Sequence, residues 1–339
     1  MLIFKQIFVS LSISVSLTFL NNQPQRKLNS MTPKFVPALT SLPLIRQGKT
    51  RDTFSTKSPD ALLIVATQRL STHNIVHLSE VPYKDQVLTA LTIYWLTNVL
   101  APAGVKHHLI AHGGAIYDYL PKSFSHYPAD LHHRAIVVKK LDMIPVEFIF
   151  RGYLVGSLYK DFHVKGLPNP YGIILDPDLP LMEPFDEPIF TPTDKSETDV
   201  PIDAENTEEK YPEATAVCYK TFLLVRDHLR KLGLELVDSK FEVGICNNSG
   251  QPIVTIADEI ATPDSSRFCD DAKIEIGKEP PWLDKQIARD EAERIWGKGK
   301  KTPLIFSPDI VSKLSGTYLD IFFRITGMNI EEFQKRYMQ

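Results

Sequence analysis

An α+β fold is predicted by three features of the 339-residue sequence. Short β-branched or aromatic runs alternate with helical patterns, but without a regular βαβ rhythm. Hydrophobic residues make up 43% and charged residues 23%, an ordinary globular balance that excludes a wholly disordered chain, a collagen-like repeat and a coiled-coil rod. At about 150 residues per domain, the length implies roughly two domains. A chain of this size buries a core large enough to need no disulfide or structural metal.

At the N-terminus, Lys5 precedes an apolar run from Ile7 to Leu20. The run is shorter than the about 20 apolar residues of a spanning helix, and no small-residue cleavage pattern follows it. Residues 1–40 read as an extension, either a start placed upstream of the natural Met31 or a dispensable signal-like segment, with no stable membrane insertion. From Pro43 to Val65 the pattern is strand-like, with a turn at Gly48 and the run Leu62-Leu63-Ile64-Val65. Val87, Leu88, Leu91, Tyr94, Trp95 and Val99 recur at helical spacing and predict a helix over Asp85–Leu100. Ala135–Val138 and Val146–Phe150 read as two strands, or one broken strand, around Pro145. The proline-rich, acidic stretch Leu167–Pro201 reads as a long ordered loop. Thr207–Leu232 predicts one helix, with Pro212 near its start and Gly233 as its stop. Leu234–Cys246 and Pro252–Glu259 predict a hairpin around Asn247–Gly250. Helices are expected at Asp284–Trp296, Ser307–Leu314 and Thr317–Thr326.

Lys plus Arg is 38 and Asp plus Glu is 41, a net charge of −3, so no global basic field exists to hold nucleic acid. Cys218, Cys246 and Cys269 are few and widely spaced, and read as buried small apolar residues. The histidines at 107, 108, 112, 126, 132 and 133 have no metal-ligand spacing and read as surface or helix-end residues. The Lys298–Lys301 run reads as a solvated loop.

Three motifs carry chemistry. Gly48-Lys49-Thr50-Arg51-Asp52 places a glycine turn beside a point charge and a guanidinium fork, which suits a phosphate although it is no P-loop. By itself it is also a charged hairpin tip. Arg151-Gly152-Tyr153-Leu154-Val155-Gly156-Ser157 sets an arginine at a strand end, then a turn offering backbone N–H and hydroxyl donors to an anion. An ordinary turn with a structural arginine fits it equally. In Asp238-Ser239-Lys240-Phe241-Glu242, Lys240 and Glu242 share one strand face. The partner strand ends in Asp258-Glu259, so Glu242 meets one of these two acids, and facing carboxylates with hard oxygens suit Mg²⁺ bridging to phosphates. Asp264 to Arg267 adds an acceptor, two hydroxyls and a fork of donors for a phosphorylated or hydroxylated ligand.

In this order the motifs resemble the phosphoribosylaminoimidazole-succinocarboxamide (SAICAR) synthetase family. The matching pieces include Gly48–Asp52, Val65-Ala66-Thr67 with Arg69 and Ser71, and Pro145-Val146-Glu147 leading to Arg151. Glu187–Thr193, Lys240–Gly244, Asp258-Glu259 with Thr262–Phe268, and Asp284-Lys285-Gln286 with Arg289-Asp290 follow. The resemblance implies a kinase-small-lobe-like nucleotide-binding sheet over residues 41–145 and a larger α+β domain over 146–339, with an ATP cleft between them. It implies a ligase that uses ATP to join the carboxylate of carboxyaminoimidazole ribonucleotide to the amine of L-aspartate, in the cytoplasm. Gly48, Lys49, Arg51, Lys140 and Glu147 would bind nucleotide, and Glu242 and Asp258 would hold Mg²⁺. Arg69, Ser71, Arg151, Ser157, Lys240, Asp264, Ser265 and Arg267 would bind the ribonucleotide, with Lys240 and Arg267 catalytic.

The family usually reads Ala-Thr-Asp-Arg-Ile-Ser-Ala-Phe-Asp where this chain has Ala66-Thr67-Gln68-Arg69-Leu70-Ser71-Thr72-His73-Asn74. Its Thr-Lys-Ala-Glu is Asp194-Lys195-Ser196-Glu197 here, and its Trp after Ser-Ser-Arg-Phe is Cys269. An amide in place of an acid changes which ligand groups are accepted. Two other readings therefore stand beside the first: a divergent paralogue joining a different carboxylate and amine, and a nucleotide-binding protein without ligase activity.

Overall fold

The computed structural model describes residues 42–122, 127–164, 171–247 and 250–339. The expected N-terminal extension, His126 and residues 248–249 of the hairpin turn lie outside the described residues.

The strands β1 (Leu44–Gln47), β2 (Arg51–Ser55) and β3 (Ala61–Ala66) form an antiparallel meander, as the sequence predicts. The strands β4 (Arg69–Thr72) and β5 (Ile75–Glu80) make a separate hairpin that turns at His73 and Asn74, both at positive φ. The helix α1 (Lys84–Tyr94) continues into a π-helical turn over Trp95–Leu100. The predicted helix is present, with its last turn widened. After β6 (Leu109–His112) and the short α2 (Leu131–Arg134) comes β7 (Ala135–Lys139). These strands build a five-stranded antiparallel sheet in the order β1-β2-β3-β7-β6.

Beyond it, β8 (Asp142–Met143) precedes β9 (Val146–Tyr153); the two strands expected around Pro145 are β7 of the first sheet and β9 of the second. After α3 (Gly156–Tyr159), the expected long loop contains β10 (Pro184–Phe190) and β11 (Thr193–Asp194), both paired with β9. Pro188 argues against a strand in the sequence, but β10 lies at the sheet's edge and its register shifts between Pro184 and Ile189. An edge or bulge needs no N–H at every position. The single helix expected over 207–232 is two. Asp203 caps α4 (Ala204–Lys210), accepting from the Asn206 N–H at 2.8 Å, and Pro212 opens α5 (Pro212–Arg230) at its first position. A proline lacks the N–H that a continuous helix needs there.

The predicted hairpin is β12 (Leu234–Cys246) with β13 (Ile253–Ala257), and β14 (Ser266–Asp270) also pairs with β12. The second sheet runs β10-β9-β12-β13, with β11 on β9 and both β8 and β14 on β12. The chain closes with α6 (Gln286–Trp296), α7 (Pro308–Thr326) and α8 (Ile330–Tyr337). The two helices expected over 307–326 are one, because Gly316 faces open space inside α7 and costs only about 1 kcal/mol of helix propensity. The helix α8 was not anticipated, although Asn329 and Glu332 form a full capping box.

The largest core cluster draws on α1, α5, β9, β12 and α7, burying Leu91, Trp95, Phe148, Phe222, Phe241 and Phe322. All three cysteines are free and buried, as expected. His108 departs from the expectation of surface histidines: it is 3% exposed, bridged beside Ile256, and burial pushes its pKa down to about 3. Among the described residues no helix is long and apolar enough to cross a membrane.

Candidate active site

The site is built on β12. Successive strand residues point to opposite faces, so Phe241 and Val243 enter the core while Asp238, Lys240 and Glu242 form a charged row on the other face. Each member of the row is met by groups from neighbouring elements.

At one end of the row, Asp238 lies opposite Arg151 of β9 and Arg267 of β14. It accepts from Arg151 Nη1 at 2.7 Å and from Arg267 Nε at 3.0 Å, with Arg267 Nη2 on its second oxygen. Arg151 also donates to Thr191 Oγ1 at 2.9 Å and Ser157 Oγ at 3.1 Å. Burial alone would raise the Asp238 pKa, but the two guanidiniums hold it below the usual range. Arg151, Ser157 and Arg267, predicted together, are thus brought together.

In the middle, Lys240 Nζ donates to Glu147 Oε1 at 2.7 Å, and Thr193 Oγ1 donates to Glu147 Oε2 at 3.1 Å. Burial would lower the Lys240 pKa; the charges of Glu147, Glu242 and Asp258 outweigh it and raise it. Lys240 is therefore a fixed cation.

At the far end, the register pairs Glu242 with Ala257, so Asp258 is the acid beside it. Burial and then the Asp258 charge raise the Glu242 pKa, against Lys195 and Lys240. Asp258 is held low by Arg51, Lys240 and Lys195 despite burial. Lys195 is ion-paired with Glu242, and Arg51 Nη2 reaches Asp258 at 2.6 Å and Glu259 at 3.1 Å. Asp258 and Ala261 both adopt positive φ, 64° and 44°, backbone strain of the kind that collects at functional sites. A small pocket opens beside Arg51, Asp258 and Glu259 and is walled by Ile64, Leu88 and Ile136.

The turn Gly48–Arg51 faces this end. Its Gly48 N–H donates to Arg51 O at 2.8 Å. Arg69 braces it, donating to Asp52 at 2.6 and 3.1 Å and to Gly48 O at 2.9 Å. Lys49 is exposed and donates to Asn74 Oδ1 at 2.6 Å. Ser71 is buried in β4. Lys140 is exposed just past β7, and its N–H donates to Asp60 O.

Asp264 is buried and bound by three groups: Lys84 Nζ at 2.7 Å, Tyr318 Oη at 2.5 Å and Lys285 Nζ at 3.8 Å. These hold its pKa well below the carboxylate range although burial opposes them. Lys285 is pushed down to about 8, chiefly by burial, with Arg289 and Lys84 adding to the fall and Asp264 opposing it. Ser265 Oγ accepts from the Thr262 N–H at 3.2 Å and shapes the turn into β14.

A model of the SAICAR synthetase family matches residues 44–303. The chain belongs to the SAICAR synthetase family. It is 34% identical over 308 residues to the phosphoribosylaminoimidazole-succinocarboxamide synthase of Saccharomyces cerevisiae, covering 84% of this chain and 95% of that one. The synthase of Syntrophobacter fumaroxidans is also 34% identical, over 298 residues, 86% of this chain and 95% of its own. The structure of the S. cerevisiae SAICAR synthase complexed with SAICAR superposes with a TM-score of 0.76 at 30% identity, covering 88% of this chain and 99% of that one.

The departures from the SAICAR synthetase pattern have local partners. Gln68 Nε2 lies 3.4 Å from Oδ1 of the buried Asp85. Asn74 uses both ends of its amide, accepting from Lys49 and donating to Glu197 O at 2.9 Å and Asp199 Oδ2 at 3.1 Å. Four site residues were missed in the sequence: Asp238, Lys195, Lys84 and Tyr318. Asp238 was detectable, since it precedes Lys240 and Glu242 at strand spacing. Lys195 keeps the lysine of the family's Thr-Lys-Ala-Glu, which pointed to it, whereas Lys84 and Tyr318 come from distant segments and carry no local signal.

Proposed function

We infer that the chain performs its family's reaction, ATP-dependent amide formation between the carboxylate of carboxyaminoimidazole ribonucleotide and the amino group of L-aspartate. The observation that carries this reading is the charged row Asp238, Lys240 and Glu242 on one strand face. It sets an arginine pair, a fixed lysine and a carboxylate pair in series.

The chemistry needs such a series. A carboxylate is a poor electrophile, so one of its oxygens takes the γ-phosphoryl group of ATP and ADP leaves. The aspartate amine then attacks the activated carbon, phosphate departs and the amine gives up a proton. Glu242 and Asp258 are hard anionic donors suited to Mg²⁺, which when bound neutralises phosphoryl charge. Among the described residues no group of three or more His, Cys, Asp or Glu side chains is placed to hold a metal. Two carboxylates fit an ion that completes its shell with water and phosphate. Lys49 and the braced turn serve the phosphates, while Arg51, paired with the acids, orients the carboxylate pair. Arg151, Ser157 and Arg267 suit the ribonucleotide's phosphate, and Lys240 its carboxylate. In this reading Arg69 acts through the turn, and Asp264 through Lys84 and Lys285. A boundary at residues 145 and 146 would put the phosphate turn and the charged row on opposite sides of the cleft. The use of ATP argues for a cytosolic location.

The test is ADP release by the purified protein with carboxyaminoimidazole ribonucleotide, L-aspartate and Mg²⁺. Turnover is expected, and Glu242→Gln should lower it at least about tenfold through loss of a hard ligand. Gln68 and Asn74 favour a second reading, a paralogue with another amine. ADP release only with other amines would establish that one, and binding without turnover would exclude both.

A further inference from the structure

Three cations near the proposed phosphate and metal positions are already engaged within the protein. Lys195 lies on Glu242, Arg51 on Asp258 and Glu259, and Lys49 on Asn74. Lys195 belongs to a loop that closes on itself. Asp194 N–H donates to Val200 O at 2.9 Å, and Asp194 Oδ1 accepts from the N–H groups of Ser196 and Val200 at 3.1 and 2.9 Å. The far side of that loop, Glu197 O and Asp199 Oδ2, is held by the Asn74 amide, whose oxygen holds Lys49. Only an amide can do this. A carboxylate at 74 has no donors and would meet Asp199 with like charge.

We propose that Lys195 is a built-in counter-cation, standing on Glu242 until a divalent cation and a nucleotide arrive together, and that Asn74 straps its loop to Lys49 in this resting state. The proposal rests on the metal placement argued above. A divalent ion alone must drive Lys195 off Glu242 and leave an ammonium beside a dication. A nucleotide alone brings phosphates toward two carboxylates. Together they exchange partners: the ion takes the carboxylates, and Lys195 and Lys49 turn to the phosphates. Each ligand therefore strengthens the other by the same factor.

The test measures Mn²⁺ binding without nucleotide, by the loss of the free-ion resonance signal, on the whole chain. Wild type should bind weakly, Lys195→Gln at least tenfold more tightly, and Lys195→Arg as wild type. Asn74→Ala should fall between wild type and Lys195→Gln. A thermal shift with Mn²⁺ alone, present in Lys195→Gln and absent in wild type, would support the same conclusion and report that the variant is folded. Equal Mn²⁺ affinity in folded wild type and Lys195→Gln would overturn the proposal. Wild-type affinity in Asn74→Ala would remove the strap. The metal placement is judged separately by Glu242→Gln. If that variant keeps wild-type tightening of ADP by Mg²⁺, the placement itself fails.

Discussion

Asp284 shows what a single residue contributes. It is fully buried, its Oδ1 accepts from the Gln286 N–H at 2.6 Å, and its Oδ2 has no hydrogen-bond partner. Burial pushes its pKa up to about 6, against Arg289 at 3.7 Å and Arg267, while Asp238 adds to the rise. An acid with a raised folded pKa binds more protons folded than unfolded. Its contribution to stability is best below the unfolded pKa, falls as pH rises toward 6, and stays low above it. The distance from the ordinary 3.8 to about 6 corresponds to roughly 3 kcal/mol. Asp284→Asn should therefore be more stable than wild type at pH 8, by up to about 3 kcal/mol in denaturant titrations. At pH 3, below the unfolded pKa, the difference should vanish. A variant less stable than wild type at pH 8 would mean that Arg289 and Arg267 dominate this carboxylate.

Among the elements, the turn from β9 into α3 controls Arg267. Gly156 sits at φ 65°, and a Cβ there would fall within the Arg267 guanidinium. Gly156→Ala should displace Arg267 from its place beside Asp238, at a stability cost of about 1–2 kcal/mol for the left-handed backbone. In steady-state kinetics the KM for the ribonucleotide should rise at least tenfold, while the Kd for Mg²⁺ and ADP stays as in wild type. An unchanged KM would take Arg267 out of the ribonucleotide site. This turn was legible in the sequence because glycines bracketing a tight turn after a strand leave a local signature. The row on β12 was legible for the same reason, since a strand's period of two is local. What paired with the row was not, because register and partners are set by segments far away in sequence. Lys195 is 47 residues from Glu242, and the strand β10 was masked by a proline that only an edge position tolerates.

At the scale of the whole molecule, the first sheet and the second meet along the segment after β13. Arg51 reaches Asp258, Lys84 reaches Asp264, and between them the Trp95 indole donates to Ala261 O at 3.1 Å. The fold class was readable from composition and rhythm. This junction was not, because each of its contacts joins residues far apart in the sequence. Trp95 is wholly buried in the π-helical turn after α1, and Ala261 holds a φ of 44° that an alanine does not choose. The indole N–H is thus one of the groups keeping the strained segment, and with it Asp258, in place. Trp95→Phe keeps an aromatic ring but removes the donor, leaving a buried carbonyl without its partner. That loss costs about 1–3 kcal/mol. The midpoint of chemical denaturation should fall accordingly, and the Kd for Mg²⁺ and ADP should rise several-fold as Asp258 loosens. A stability loss with an unchanged Kd would show that the segment keeps its shape without the indole. The ion pairs of Arg51 would then be what holds the carboxylates in register with Glu242.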